Sequence, residues 1–144
     1  MMSPAEIRAA AEQLFEAEIN RSQIDILSLA HPEMDMDDAY AIQSALVDHK
    51  QASGRSIIGW KIGLTSKAMQ YALNIDIPDS GILFDDMAFE NGAHVPAGRF
   101  IQPRVEAEIA FVMSDDIAGA DVWDRILLQQ PPMSRQVWKF WTHA

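Results

Sequence analysis

Two glutamates alternate along the stretch Arg104–Met113, and their spacing suits metal binding. Side chains in a β-strand alternate between its two faces, so Glu106 and Glu108 are predicted to point the same way. Two anionic oxygen ligands side by side suit a hard divalent cation such as Mg²⁺ or Mn²⁺. The alternative is a solvated polar face that has Arg104 or a lysine nearby, and the motif by itself slightly favours this alternative.

The apolar residues of the same stretch predict a strand with buried surface. Val105, Ala107 and Ile109 alternate with the glutamates and are expected on the opposite face of a half-buried strand. Ala110–Val112 is continuously apolar, which is typical of a strand that is buried on both faces.

A lysine between two glycines is the next candidate for chemistry. Gly59 and Gly63 bracket Lys61 in a predicted strand, and glycine in a strand allows a close backbone approach or a bend. The lysine is therefore either a surface residue with a buried stem or a desolvated amine that acts as an acid or base. Asp79 lies in Pro78–Gly81, whose composition predicts a turn.

Helices are expected to position these segments. Ser3 can cap a helix that continues to near Asn20, because Pro4 suits its first turn and Glu6 can complete a capping box. A second helix is predicted over Asp35–Ser53. Its N-terminus carries three aspartates, which we interpret as charges favoured by the helix dipole in preference to a metal cluster. A short helix, Lys67–Leu73, is predicted to be capped by the preceding Thr-Ser pair.

Composition limits the class of protein. The 144 residues are 49% apolar and 22% charged, which is typical of one globular domain of ordinary size. A net charge of −10 argues against nucleic acid or an anionic membrane as a partner. The chain has no cysteine, no apolar run of membrane-spanning length and no signal-peptide pattern at its N-terminus, so we predict a cytoplasmic protein without disulfides or thiol chemistry.

Three motifs occur in an order and at a spacing that match one group of bacterial enzymes. They are Lys61–Ser66, Pro78–Gly81 and Gln102–Ala110. The chain resembles the 2-hydroxypentadienoate hydratases and 4-oxalocrotonate decarboxylases of aromatic meta-cleavage pathways, within the fumarylacetoacetase-like superfamily. The likeness extends from about Ile7 to about Arg125, and Lys61–Gln70 is most similar to the 2-oxohept-4-ene-1,7-dioate hydratases. Because several motifs agree, the resemblance outweighs the solvated-face interpretation of the two glutamates.

The resemblance implies a metal-dependent lyase. Glu106 and Glu108 would be two of three carboxylates that hold Mg²⁺ or Mn²⁺, and the metal would act as a Lewis acid on a 2-hydroxy-dienoate or 2-oxo-enoate. Lys61 would move the proton between the enol and keto forms, and Asp79 would transfer a proton or orient water. Water would add to the remote double bond of 2-oxohept-4-ene-1,7-dioate or 2-hydroxypentadienoate. The resemblance also implies a homo-oligomer for full-length family members.

Two alternative functions remain open. In the related decarboxylases the same metal-bound enolate would drive the loss of carbon dioxide, so these motifs do not separate a hydratase from a 4-oxalocrotonate-type decarboxylase. The chain could instead be a non-catalytic interaction or oligomerisation fragment, because its N-terminal helices are amphipathic.

The end of the chain departs from the family. Family members are nearly twice as long, and their third metal carboxylate lies in a Leu-Glu segment beyond the likeness. Residues 126–144 contain no acidic residue. Read one base early, however, the codons of Trp138 and Lys139 must give glutamate, those of Trp141 and Thr142 must give aspartate, and permitted codons elsewhere complete Leu-Glu-Ile-Leu-Asp-Ala-Arg. We therefore expect an out-of-frame tail; a divergent natural tail is the alternative.

The expected organisation follows from this. The fold class is α+β, with N-terminal helices and the first strands of a fumarylacetoacetase-like mixed β core, truncated. Residues 1–54 would form the helical region, 55–125 the start of the catalytic β core with the metal motif, and 126–144 the divergent tail. The missing carboxylate predicts weak metal binding and little hydratase turnover. The missing strands predict exposed strand edges and exposed apolar surface.

Overall fold

A computed structural model describes residues 1–112 and 135–141 of the protein. The described residues fall into two compact units, one ending at Arg99 and the other starting at Phe100. The elements, in chain order, are α1 (Pro4–Asn20), α2 (Leu27–Ala30), α3 (Met36–Ala52), β1 (Ile57–Gly63), α4 (Lys67–Leu73), β2 (Asp79–Phe84), a 3₁₀ turn (Asp85–Met87), β3 (Arg104–Ala110) and β4 (Arg135–Trp141). Helices with small antiparallel sheets agree with the predicted α+β class.

The two long helices form the core of the first unit. α1 starts at the predicted cap, where the Ser3 side chain accepts a hydrogen bond from the Glu6 N–H and the Glu6 carboxylate accepts one from the Ser3 N–H. Ala10 and Ala11 are buried against Ile42 of α3. Small side chains at this position allow the helix axes to approach closely, which excludes water from the interface.

The ends of the helices are tied to the strands by a charged network. The buried ammonium of Lys50 and the guanidinium of Arg55 both pair with Glu18, and Arg55 also pairs with Asp86, Nε to Oδ2 at 3.3 Å. Burial raises the pKa of Glu18, but the hydrogen bond from Lys50 and the charges of Lys50 and Arg55 outweigh it and lower that pKa. Lys50 also lies 5.1 Å from the ring centroid of the buried Phe84.

β1 and β2 pair as antiparallel strands. Their register places Lys61 opposite Gly81, and Gly63 opposite Asp79. The prediction that Asp79 forms a turn is therefore wrong, because Asp79 is the first residue of β2. Pairing with β1 satisfies backbone groups that a local turn would leave to water, and this long-range gain overrides the local preference of Pro-Asp-Ser-Gly.

The second unit contains β3 and β4, which are also antiparallel. The expectation of buried apolar residues on β3 is wrong for the described side chains, since Val105 is 61% exposed and Ile109 is 71% exposed. Phe111 and Val112 are exposed as well. Within the described residues this sheet has two strands, and a lone pair of strands provides no layer against which an apolar face can be buried. Met113 lies outside the described residues.

Across the described ranges, no helix combines the length and apolar character needed to span a membrane. The division at residues 54 and 125 expected from the sequence stays a prediction.

Candidate active site

Lys61 and Asp79 lie on one face of the β1–β2 sheet. Residues 61 and 63 share a face of β1, and their partners at 81 and 79 share the same face of β2. Lys61 and Asp79 are thus diagonal neighbours across the two strands, a separation that long side chains can bridge. Both residues are half-buried.

Each of these side chains lies over a glycine of the opposite strand. A Cβ atom at Gly81 would lie 2.9 Å from Cε and 3.2 Å from Cγ of Lys61. A Cβ atom at Gly63 would overlap Oδ1 of Asp79 and lie 3.0 Å from its Cγ. The two glycines therefore clear the space that the lysine stem and the carboxylate occupy.

One carboxylate oxygen of Asp79 has no hydrogen-bond partner among the described residues. Oδ1 is buried and accepts no hydrogen bond from the described part of the chain. A buried acceptor in this state is costly, and it marks a place where an O–H or N–H group of a bound molecule can donate. An amine and a carboxylate on one half-buried face form a suitable pair for general acid–base chemistry.

A strained residue follows β1 directly. Leu64 has a positive φ of 53°, a conformation that is unfavourable for a leucine. The buried side-chain amide of Gln70, on α4, donates a hydrogen bond to the Leu64 carbonyl, and Lys67 Nζ donates to Gln70 Oε1 at 2.9 Å. This contact holds the backbone immediately after Gly63 and fixes the end of β1.

Glu106 and Glu108 lie two residues apart on β3, as predicted, and the strand period places them on one face. Glu106 is exposed and Glu108 is half-buried. The backbone register pairs Glu106 with Lys139 and Glu108 with Val137. In the part of the chain that the structure describes, no group of three or more acidic, histidine or cysteine residues could hold a metal ion. Two adjacent carboxylates fit a hard divalent cation, but the described residues supply no third ligand.

The aspartates at the start of α3 have the structural role that was expected. Asp35 and Asp38 form a capping box, with the Asp38 N–H donating to Asp35 Oδ1 at 2.9 Å. Asp38 Oδ1 also accepts the Met2 backbone N–H at 2.9 Å. The Met2 hydrogen bond is the largest cause that lowers the Asp38 pKa, and the Asp35 N–H adds to it.

One residue of this site, Gly81, escapes prediction from the sequence. Gly63 has the predicted role of permitting a close approach. At Gly59, by contrast, no described residue beyond its two chain neighbours has an atom within 4 Å of the Cβ position. The glycine under Lys61 is Gly81, whose local sequence predicts a turn. Only the cross-strand register reveals it, because Gly81 lies 20 positions from Lys61 along the chain.

Comparison with known proteins identifies relatives of this chain. It is 50% identical over 109 residues to 2-oxo-hept-4-ene-1,7-dioate hydratase from Escherichia coli, an alignment that covers 76% of this chain and 41% of the relative. It is 43% identical over 116 residues to 2-keto-4-pentenoate hydratase from Paraburkholderia xenovorans (strain LB400), covering 81% of this chain and 43% of the relative. No protein-family profile matches the chain.

A solved structure shares the fold. The 4-oxalocrotonate decarboxylase from Pseudomonas putida G7, complexed with magnesium and adipate, matches with a TM-score of 0.78 at 32% identity. The match covers 83% of this chain and 46% of the decarboxylase. The same decarboxylase complexed with calcium and acetate gives the same values.

These findings confirm the resemblance predicted from the motifs, over part of each relative. The chain spans less than half the length of these two hydratases and of the decarboxylase. Helices with antiparallel strands in this order therefore match part of the decarboxylase fold.

Proposed function

We propose that this chain carries acid–base and metal-binding residues of a hydratase that adds water to a 2-hydroxy-dienoate or 2-oxo-enoate. The observation that carries the proposal is the arrangement of Lys61 and Asp79, each over a glycine on one half-buried face. The identity to 2-oxo-hept-4-ene-1,7-dioate hydratase and 2-keto-4-pentenoate hydratase supports the choice of reaction.

A hydratase is favoured over a decarboxylase. The two hydratases share 50% and 43% of aligned residues with this chain, whereas the decarboxylase shares 32%. The substrate is therefore expected to be a small 2-oxo or 2-hydroxy acid with a remote double bond.

The chain's own residues would act on the carbon next to the 2-oxo group. The Lys61 ammonium gives a proton to this carbon of the enolate, or the Lys61 amine removes one from the ketone, which interconverts the enolate and keto forms. The unpartnered Oδ1 of Asp79 accepts a hydrogen bond from water or from a substrate hydroxyl and orients it. Glu106 and Glu108 would hold Mg²⁺ or Mn²⁺. When bound, such a cation supplies Lewis-acid polarisation of the 2-oxo group.

The register of β3 and β4 indicates where a third carboxylate would belong. Lys139 is the backbone partner of Glu106, and residues paired directly across antiparallel strands share a face of the sheet. Position 139 is also where the shifted reading frame introduces glutamate. We propose that residues 126–144 are read out of frame, and sequencing the gene tests this directly. An early stop codon in the shifted frame would contradict it.

The function is tested with 2-hydroxypenta-2,4-dienoate and Mg²⁺, following the keto and hydrated products separately by NMR. We expect weak ketonisation and little hydration. Replacing Lys61 (Lys61→Met) should slow ketonisation by about a hundredfold. Arg8→Met, which removes an exposed cation of α1 that the site does not use, should leave ketonisation nearly unchanged. Equal rates in the wild-type chain and Lys61→Met would contradict the proposal. Rapid hydration by the wild-type chain would contradict the prediction that metal binding is weak. A homo-oligomer and a cytoplasmic location remain predictions.

A further inference from the structure

Two side chains of α3 hold the backbone of one residue of β2. The Ser80 N–H donates to the Tyr40 hydroxyl oxygen at 3.3 Å, and Gln43 Nε2 donates to the Ser80 carbonyl at 3.0 Å. Tyr40 and Gln43 are three residues apart on a helix, so they lie on the same face of α3. Both are half-buried.

These hydrogen bonds replace a neighbouring strand along part of the β2 edge. In an antiparallel pair, alternate residues direct their N–H and C=O groups toward the partner strand, and those between direct them outward. Ser80 pairs with Ile62, and its backbone N–H and C=O groups both bond to side chains of α3. The backbone groups of its neighbours Asp79 and Gly81 are therefore the ones directed toward β1.

The location of this contact is important for the candidate site. Ser80 lies between Asp79, which carries the carboxylate, and Gly81, which lies under Lys61. Asp79 is also the first residue of β2, where a strand is most prone to fraying. A small displacement of Ser80 would move both the Asp79 carboxylate and the Gly81 backbone that lies against the Lys61 side chain.

We propose that Tyr40 and Gln43 are positioning residues that hold Asp79 and Gly81 in register with β1. Their relevance to catalysis rests on the proposed function, but the geometry they impose can be measured without it. Tyr40 is therefore more than a packing residue, because its hydroxyl group makes a specific polar contact with β2.

The variants that test this are Tyr40→Phe, which removes the hydroxyl, and Gln43→Glu, which replaces the donor with an acceptor. Ser44→Ala is the matched control, because Ser44 is exposed on α3 and its hydroxyl bonds within the helix to the Tyr40 carbonyl. Amide hydrogen exchange is measured by NMR on the full chain. We expect protection at Asp79 and Gly81 to fall by about fivefold in each variant and further in the double variant. It should stay unchanged in the control.

A second readout uses the lysines as internal probes. Labelling of Lys61 by an amine reagent, relative to Lys67, should rise about threefold in Tyr40→Phe and Gln43→Glu. The reason is that the Gly81 backbone, which lies against the Lys61 side chain, becomes more mobile. Unchanged exchange and unchanged labelling would overturn the inference, as would equal changes throughout β1 and β2 with a lowered melting temperature. If the wild-type chain ketonises the dienoate, both variants should lower kcat with little change in KM. The expected rise in labelling of Lys61 in both variants, together with no ketonisation by the wild-type chain, would instead refute the proposed function alone.

Discussion

The two pairs of candidate functional residues lie in very different surroundings. Lys61 and Asp79 lie over glycines of the opposite strand, with side chains of two helices hydrogen-bonded to the backbone nearby. Glu106 and Glu108 lie on a strand whose neighbouring apolar residues are exposed. Both pairs were identified from sequence motifs. A motif can therefore predict which residues act, but it does not show whether the neighbouring residues fix their side chains in position.

The two regions differ in the contacts that support their strands. The first unit combines capped helices with a strand pair that packs near them, and its polar contacts join residues about 40 positions apart or fewer. The second unit, as far as it is described, is one pair of strands. Two strands alone are marginally stable and leave apolar side chains in water, so the glutamates gain little preorganisation from the described residues.

The largest effect is expected from breaking the charged network of the first unit. Replacing the carboxylate (Glu18→Gln) leaves the buried Lys50 ammonium without its counter-charge, which should lower the free energy of unfolding by about 3 kcal/mol. Urea denaturation measures the change. Glu16→Gln is the control, because Glu16 is exposed on the same helix and should change stability by less than about 0.5 kcal/mol. Equal effects in both variants would show that the network contributes nothing specific.

The same charged network predicts how the stability of the protein changes with pH. Because the pKa of Glu18 is lowered in the folded protein, its stabilisation is fully present above the ordinary glutamate pKa of about 4.3 and is lost as pH falls through the lower folded value. The stability difference between the wild-type chain and Glu18→Gln should therefore shrink in acid. A difference that persists well below pH 3 would contradict this assignment.

A smaller and more local effect is expected at the glycine beneath Asp79. Gly63→Ala places a methyl group where the carboxylate now lies, so the Asp79 side chain must move. Displacing a catalytic group by about 1 Å costs about a hundredfold in rate. Ketonisation of the dienoate measures the loss, and the NMR shift of the Asp79 carboxyl carbon reports the displacement itself.

Gly59→Ala provides a matched control on the same strand. Gly59 lies on the same half-buried face of β1, but among the described residues only Gly59 and its chain neighbours have atoms within 4 Å of its Cβ position. Its substitution should change the rate by less than about twofold, since the added methyl group displaces no side chain. Equal losses in the two variants would mean that glycine is needed for the strand in general and not for the position of the carboxylate.

These residues also show what the sequence can predict. Helix starts depend on contacts within a few residues, so the Ser3–Glu6 capping box and a helix that begins near Asp35 were predictable. β1 and α4 were also predictable from local patterns. The predicted side-chain cap of α4 is wrong, because Ser66 at the N-cap makes no capping hydrogen bond with the described residues.

The features that escaped prediction all depend on long-range pairing. The neighbours of Asp79 favour a turn locally, and Gly81 can be placed under Lys61 only once the register is known. Burial of Val105 and Ile109 was predicted from alternation alone, but alternation shows which side chains share a face and not whether another layer covers that face.

The last prediction concerns a third carboxylate for Glu106 and Glu108, which the described residues do not supply. Lys139→Glu puts a carboxylate at the position paired with Glu106, so three carboxylates would share one face of the β3–β4 sheet. Each added anionic ligand strengthens binding of a hard cation, and we expect the Kd for Mg²⁺ to fall by about tenfold. Isothermal titration measures the Kd, and Glu106→Ala in the same background should cancel the gain.

Gln136→Glu is the control for this prediction. It also adds a carboxylate to β4, but the partner of position 136 is Ile109, on the opposite face. An equal gain from Gln136→Glu would mean that added negative charge attracts the cation without forming a site, whereas a gain confined to position 139 would identify β4 as the strand that completes it.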